Sequence, residues 1–149
     1  MPPRIATLEE IDAAPKIDLH AHLDGSVSKD RLIRLSEKHE IPLDPQILQY
    51  YPDAGPFDAH ARPDEFKRFL DCFQLPLALM QTPETIHDTT LEVIRDLNSQ
   101  NVVYAELRFA PNYSTTQGHS MEEMIASVVK AMEDGYRETG VLTKLVIAV

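Results

Sequence analysis

The chain has 149 residues, 43% of them hydrophobic and 26% charged, with a formal net charge of −10. That length supports one domain with a sizeable core, and the balance is that of a soluble globular protein. The acidic surplus argues against nucleic acid or an anionic membrane as a partner, because both need clusters of Lys and Arg. The single cysteine, Cys72, excludes a disulfide framework within the chain and fits a reducing, cytoplasmic setting. Residues 1–10 lack the apolar core of a signal peptide, and no apolar run is long enough to span a bilayer.

In chain order, Thr7-Leu8-Glu9-Glu10 has the form of a capping box and predicts a short helix that Pro15 ends. Residues 16–23 then read as a strand. Strict alternation puts Ile17, Leu19, Ala21 and Leu23 on one face and Asp18, His20, His22 and Asp24 on the other. Residues two apart on a strand point the same way, roughly 6–7 Å from each other, so His20 and His22 can converge on one metal ion. A plainer account stands beside this one: His-x-His is a common chance pairing, and a polar strand face can simply meet solvent. Clusters of His and carboxylate are what metal sites need without being proof of one.

After a turn at Asp24-Gly25-Ser26, Ser28 is the expected N-cap of a helix to His39, with Leu32, Ile33 and Leu35 inward. Residues 41–57 hold four prolines and one glycine and read as irregular, with a short helix after Asp44-Pro45. Pro63-Asp64-Glu65 opens a helix in which Phe66, Phe69, Leu70 and Phe73 recur at helical spacing, until Pro76 kinks or stops it. Thr82-Pro83 starts another, with Ile86, Thr90, Val93, Ile94 and Leu97 as its stripe and Asn101 as its stop. Residues 102–109 form a second strand, with Val103, Ala105, Leu107 and Phe109 opposite Tyr104, Glu106 and Arg108. A polar loop, 113–119, leads to a second capping box at Ser120-Met121-Glu122-Glu123. Met124, Ile125, Val128, Met132 and Tyr136 line the apolar side of its helix, Gly140 stops it, and residues 142–149 form a third, very apolar strand.

Strands alternating with helices predict a parallel α/β sheet. A chain that ends in an apolar strand with no helix to cover it leaves hydrophobic edges. It is therefore expected to be the front portion of a longer protein.

Two stretches carry a family resemblance. Pro15-Lys16-Ile17-Asp18-Leu19-His20-Ala21-His22-Leu23-Asp24-Gly25-Ser26 and Val103-Tyr104-Ala105-Glu106-Leu107-Arg108-Phe109-Ala110-Pro111 resemble the first and second barrel strands of the adenosine deaminases, in the metal-dependent amidohydrolase superfamily. The resemblance spans essentially all 149 residues but well under half of a barrel domain of ~250 residues. It implies the N-terminal part of a (β/α)8 TIM barrel with a helical insertion after the first strand, incomplete as a catalytic domain. It also implies hydrolysis of adenosine, and of 2′-deoxyadenosine, to inosine and ammonia. His20 and His22 would be two ligands of a catalytic Zn²⁺. Asp24, with His22 beside it, would bind the ribose of a purine nucleoside, and Phe66, Phe69 and Phe73 would form an apolar lid. For any one of these phenylalanines plain core packing competes, and for Asp24 a turn or cap role. Tyr104, Glu106 and Arg108 are assigned to the barrel interior. The remaining ligands and the catalytic acid/base are expected beyond Val149, so the 149-residue chain by itself is expected to be inactive. His39, His60, His87 and His119 are expected at the surface or at caps. Adenine deaminases, AMP deaminases and other amidohydrolases share the first motif, and a non-catalytic assembly module remains an alternative of another class. A carboxylate at Asp24 suits a sugar hydroxyl and would repel a 5′-phosphate. Oligomeric state is not legible.

Overall fold

A computed structural model describes residues 4–52 and 63–148, with only the helical backbone described at 63–66. His60, the last residues of the irregular stretch, Val149 and the Phe66 side chain lie outside the described residues.

The elements run α1 (Leu8–Ala13), β1 (Lys16–His22), α2 (Lys29–His39), α3 (Pro45–Leu48), α4 (Pro63–Cys72), α5 (Gln74–Leu79), α6 (Pro83–Ser99), β2 (Val102–Phe109), α7 (Met121–Thr139) and β3 (Leu142–Ile147). Their local causes are visible. Thr7, Thr82 and Ser120 each close a capping box, satisfying orphan N–H groups at a helix start. Asp44 accepts from the Gln46 amide ahead of Pro45, and Gly140 ends α7 in the left-handed region at φ 79°. Ser28 precedes α2 in cap geometry, but its hydroxyl makes no capping hydrogen bond. Pro76 does not stop α4. The break comes earlier, at Phe73, and Pro76 sits in the first turn of α5, where its missing N–H costs nothing. The 3₁₀ turn Pro111–Ser114 occupies part of the predicted polar loop.

The three strands form one parallel sheet in the order β1-β2-β3. Ala105, Leu107 and Phe109 are buried, together with Ile86, Val93, Ile94 and Leu97 of α6 and Met124 and Val128 of α7. Burying one such side chain contributes roughly 1.5–3 kcal/mol, so this layer is the main source of cohesion. Thr89 and Thr90, buried in α6, return their hydroxyls to the carbonyls of Thr85 and Ile86 at 2.8 Å. Tyr136, expected on the apolar side of α7, is exposed, while Ala131 and Gly135 are buried instead. The cause is a close helix–helix approach: a Cβ on Gly135 would meet Ile94 Cδ1 at 2.7 Å, so the contact surface rotates toward the small residues.

The alternation expected along β1 is interrupted. Asp18 pairs with Ala105 and Ala21 with Leu107, three residues against two, which inserts one extra residue into β1 as a bulge. Ile17 accordingly stands opposite Tyr104 and Asp18 opposite Ala105, so Asp18 does not share a continuous polar face with His22. Its carboxylate turns back to accept from the His20 amide at 2.9 Å. Ala21 and Leu23 are buried as expected, while Ile17 and Leu19 are 64% and 59% exposed.

Outside the sheet, ion pairs join the helices. Arg31 of α2 pairs with Glu92 and Asp96 of α6, and Arg95 of α6 reaches Glu138 of α7 at 2.7 Å. His39 meets Asp88 at 2.8 Å, with its side chain 8% exposed, and His87 meets Asp134 at 3.1 Å. These two histidines are thus interhelical tethers and not surface or capping residues, because each has a carboxylate from another helix. His119 keeps the expected place, 3.9 Å from Glu123 in the first turn of α7.

Candidate metal and nucleoside site

β1 delivers both imidazoles to its C-terminal end. The His20 and His22 rings stack with centroids 5.2 Å apart and an interplanar angle of 28°. Both residues are exposed, and neither ring makes a side-chain hydrogen bond among the described residues. His22 pairs in register with Arg108 on β2, and the Leu23 amide donates to the Arg108 carbonyl at 2.9 Å. Beyond His22 the chain turns tightly. The Gly25 amide and the Ser26 hydroxyl both donate to the His22 carbonyl, at 3.1 and 2.6 Å.

The turn presents Asp24 to a small cleft of about 20 Å³, open to solvent, lined by Asp24, Gly25, Tyr51, Pro52, Phe69, Cys72 and Phe73. Burial pushes the Asp24 carboxyl up, with the positive pull of His22 opposing it. Phe69 and Phe73 meet edge to face at 5.4 Å and 87°. Phe73 lies over the turn because Gly25 has no side chain: a Cβ there would stand 3.1 Å from its Cε1. The predicted Asp24, Phe69 and Phe73 therefore come together in one cleft, and Leu70, 50% exposed, does not line it. Sequence reading missed Tyr51, Pro52 and Cys72 as lining residues. Tyr51 and Pro52 lie in the proline-rich stretch with no periodicity to mark them, and Cys72 shows only as an apolar helix position. Burial raises the Cys72 thiol, so it stays protonated and unreactive near neutral pH.

As a metal site the donor set is partial. Two adjacent exposed imidazoles suit a zinc ion, which takes His nitrogens in a tetrahedral shell. Among the described residues no group of three or more His, Cys, Asp or Glu is placed to hold a metal. The residues present thus fit two positions of such a shell. On the face of β2 opposite Ala105 and Leu107, the Tyr104 hydroxyl donates to Glu106 at 3.2 Å, and the Arg108 Nε is buried without a hydrogen-bond partner among the described residues.

Three parallel strands with helices packed against them have the architecture of part of a TIM barrel. The structure of an amidohydrolase from Burkholderia ambifaria with bound Zn superposes at a TM-score of 0.71 and 21% identity, covering 99% of this chain and 40% of that one. The family model for adenosine deaminase matches residues 15–149, and the chain belongs to that family. An adenosine deaminase of Vibrio atlanticus is 40% identical over 127 residues, covering 81% of this chain, and one of Clostridium kluyveri is 32% identical over 135 residues, covering 91%. A protein of Chlorobium phaeobacteroides named adenine deaminase also matches, at 28% over 142 residues. The chain spans 36–38% of the length of the first two relatives. No helix among the described residues is long and apolar enough to cross a membrane.

Proposed function

We propose that this chain is the front portion of a cytoplasmic, zinc-dependent adenosine deaminase that converts adenosine, and 2′-deoxyadenosine, with water to inosine and ammonia. The observation that carries the reading is the pair of stacked, hydrogen-bond-free imidazoles of His20 and His22, 5.2 Å apart. Zn²⁺ held there would supply Lewis acidity, making water nucleophilic near neutral pH. His20 and His22 contribute two neutral nitrogens toward the ion. Asp24, half-buried at the cleft, accepts a hydrogen bond from a ribose hydroxyl. Phe69 and Phe73 cover the purine and keep water from its face. The other ligands and the acid/base come from chain beyond residue 149, so these residues alone bind and orient without turning substrate over.

The relative named adenine deaminase supports a second reading, a free base as substrate. Asp24 favours the nucleoside, since a carboxylate accepts well from a sugar hydroxyl, and it disfavours a 5′-phosphate by charge. The deciding experiment compares adenosine, adenine and AMP as substrates of the complete zinc-loaded protein. Preference for adenosine supports the proposal, and preference for adenine or AMP replaces it. Sustained turnover by the 149-residue chain would contradict the division of labour.

A further inference from the structure

We infer that Tyr51 is a positioning residue for Asp24: through its hydroxyl on the Val27 carbonyl and its ring in the cleft wall, it fixes the turn that presents the carboxylate. The inference rests on the proposed reading for the part that concerns substrate.

Tyr51 lies just after α3, 24 residues beyond Val27, yet its hydroxyl donates to the Val27 carbonyl at 2.7 Å. It is 7% exposed and Val27 3%. Val27 belongs to neither strand nor helix, so its carbonyl has no ladder to join, whereas the Ser28 carbonyl already accepts the Leu32 amide of α2 at 2.9 Å. A buried carbonyl in such a segment needs a partner, and Tyr51 supplies it. The same ring lines the cleft with Asp24, Gly25, Phe69, Cys72 and Phe73. Burial, with Cys72 and Asp24 adding negative charge nearby, drives the phenol well above its ordinary range. The hydroxyl therefore stays protonated, and a donor, near neutral pH. The turn has its own local bonds, Gly25 and Ser26 to the His22 carbonyl, but these anchor it only to the strand. Phe73 packs over Gly25 from the aromatic wall, and Tyr51 adds the hydrogen-bonded tie that holds the chain just after the carboxylate.

Tyr51→Phe tests this because it keeps the ring and removes the donor. In the complete enzyme the variant is expected to raise KM for adenosine about fivefold, the effect of one net hydrogen bond, with a smaller change in kcat. In an Asp24→Asn background the same substitution should add less than about twofold, since neighbours acting through one group are not additive. An equal penalty in both backgrounds, or none in either, overturns the inference. A second arm uses the 149-residue chain without substrate. Amide exchange at Asp24–Ser28 should rise about fivefold in Tyr51→Phe, with exchange in α7 unchanged. Unchanged exchange in the turn overturns the inference, and so does a uniform rise across the chain. If the unsubstituted enzyme does not deaminate adenosine, the functional reading fails, and the exchange arm alone decides the role of Tyr51.

Discussion

Two polar clusters of this chain are built from the same residue types and treat their charges in opposite ways. Between the helices, His39 and His87 each face a carboxylate, and Arg31, Lys38, Arg95 and Lys130 are all paired. Lys130 and His87 hold the Asp134 carboxyl down to about 2. Burial alone would raise the Asp88 carboxyl, but Lys38, His39 and His87 together bring it below its ordinary range. At the end of β1, the His20 and His22 rings stack on each other without a side-chain hydrogen bond among the described residues, and burial pushes Asp24 upward against the pull of His22. A matched cluster stabilises the fold. An unmatched one lowers stability and is retained where a ligand will complete it.

The contrast predicts effects in a definite order. The largest is at the unmatched site. His20→Ala or His22→Ala in the complete enzyme should abolish zinc retention and reduce turnover by more than the ~10–100-fold typical of outer-shell changes. Metal analysis and an inosine assay would check it, and a variant that kept full zinc content would break the assignment. Asp24→Ala comes next. Loss of a hydrogen bond to a charged group, about 1.5–3 kcal/mol, should lower kcat/KM for adenosine by roughly 10–150-fold and leave adenine, if it reacts at all, nearly unaffected.

Stability effects follow on the helix side. Gly135→Ala forces a Cβ to 2.7 Å from Ile94 Cδ1 and 3.3 Å from its Cβ, where little can give way. Such overpacking should cost about 1–3 kcal/mol in urea unfolding. The smallest effect is electrostatic. The folded-state values of Asp88 and Asp134 lie below the unfolded ones, so their stabilisation is complete above about pH 4. It is lost as pH falls through the folded values, toward about 2 for Asp134. Asp134→Asn should flatten the decline in stability between pH 4 and 2, and added salt should weaken it for this exposed group. If D134N retained the full decline, the tethers would not be contributing.

Much of this architecture is legible residue by residue because its causes are local. The β2 bounds, Val102–Phe109, follow from alternation between Asn101 and Ala110-Pro111, and the helix starts at Thr7, Thr82 and Ser120 follow from hydroxyls three residues before their partners. The buried stripe of α6 appears at its expected positions. What escaped reading depends on contacts between distant segments. Nothing near Tyr51 indicates that its hydroxyl ends on Val27, and nothing near Gly135 shows that α6 passes close enough to push Tyr136 outward. The bulge in β1 is invisible to alternation because it is defined by the partner strand's register. At the site, His20, His22 and Asp24 stand out by spacing and by resemblance, whereas the cleft beside Asp24 is assembled from three separate segments of the chain, residues 24–25, 51–52 and 69–73.

β1 is the outermost strand of the sheet among the described residues, and it alone carries both candidate ligands. Its free side exposes Ile17 and Leu19. A segment that hydrogen-bonded along that side would stiffen the backbone under both imidazoles at once. Completing the sheet and capturing the ion are then thermodynamically linked: each makes the other more favourable by the same factor. Were an ion held by those two rings, its uptake would report how fully that side of β1 is paired.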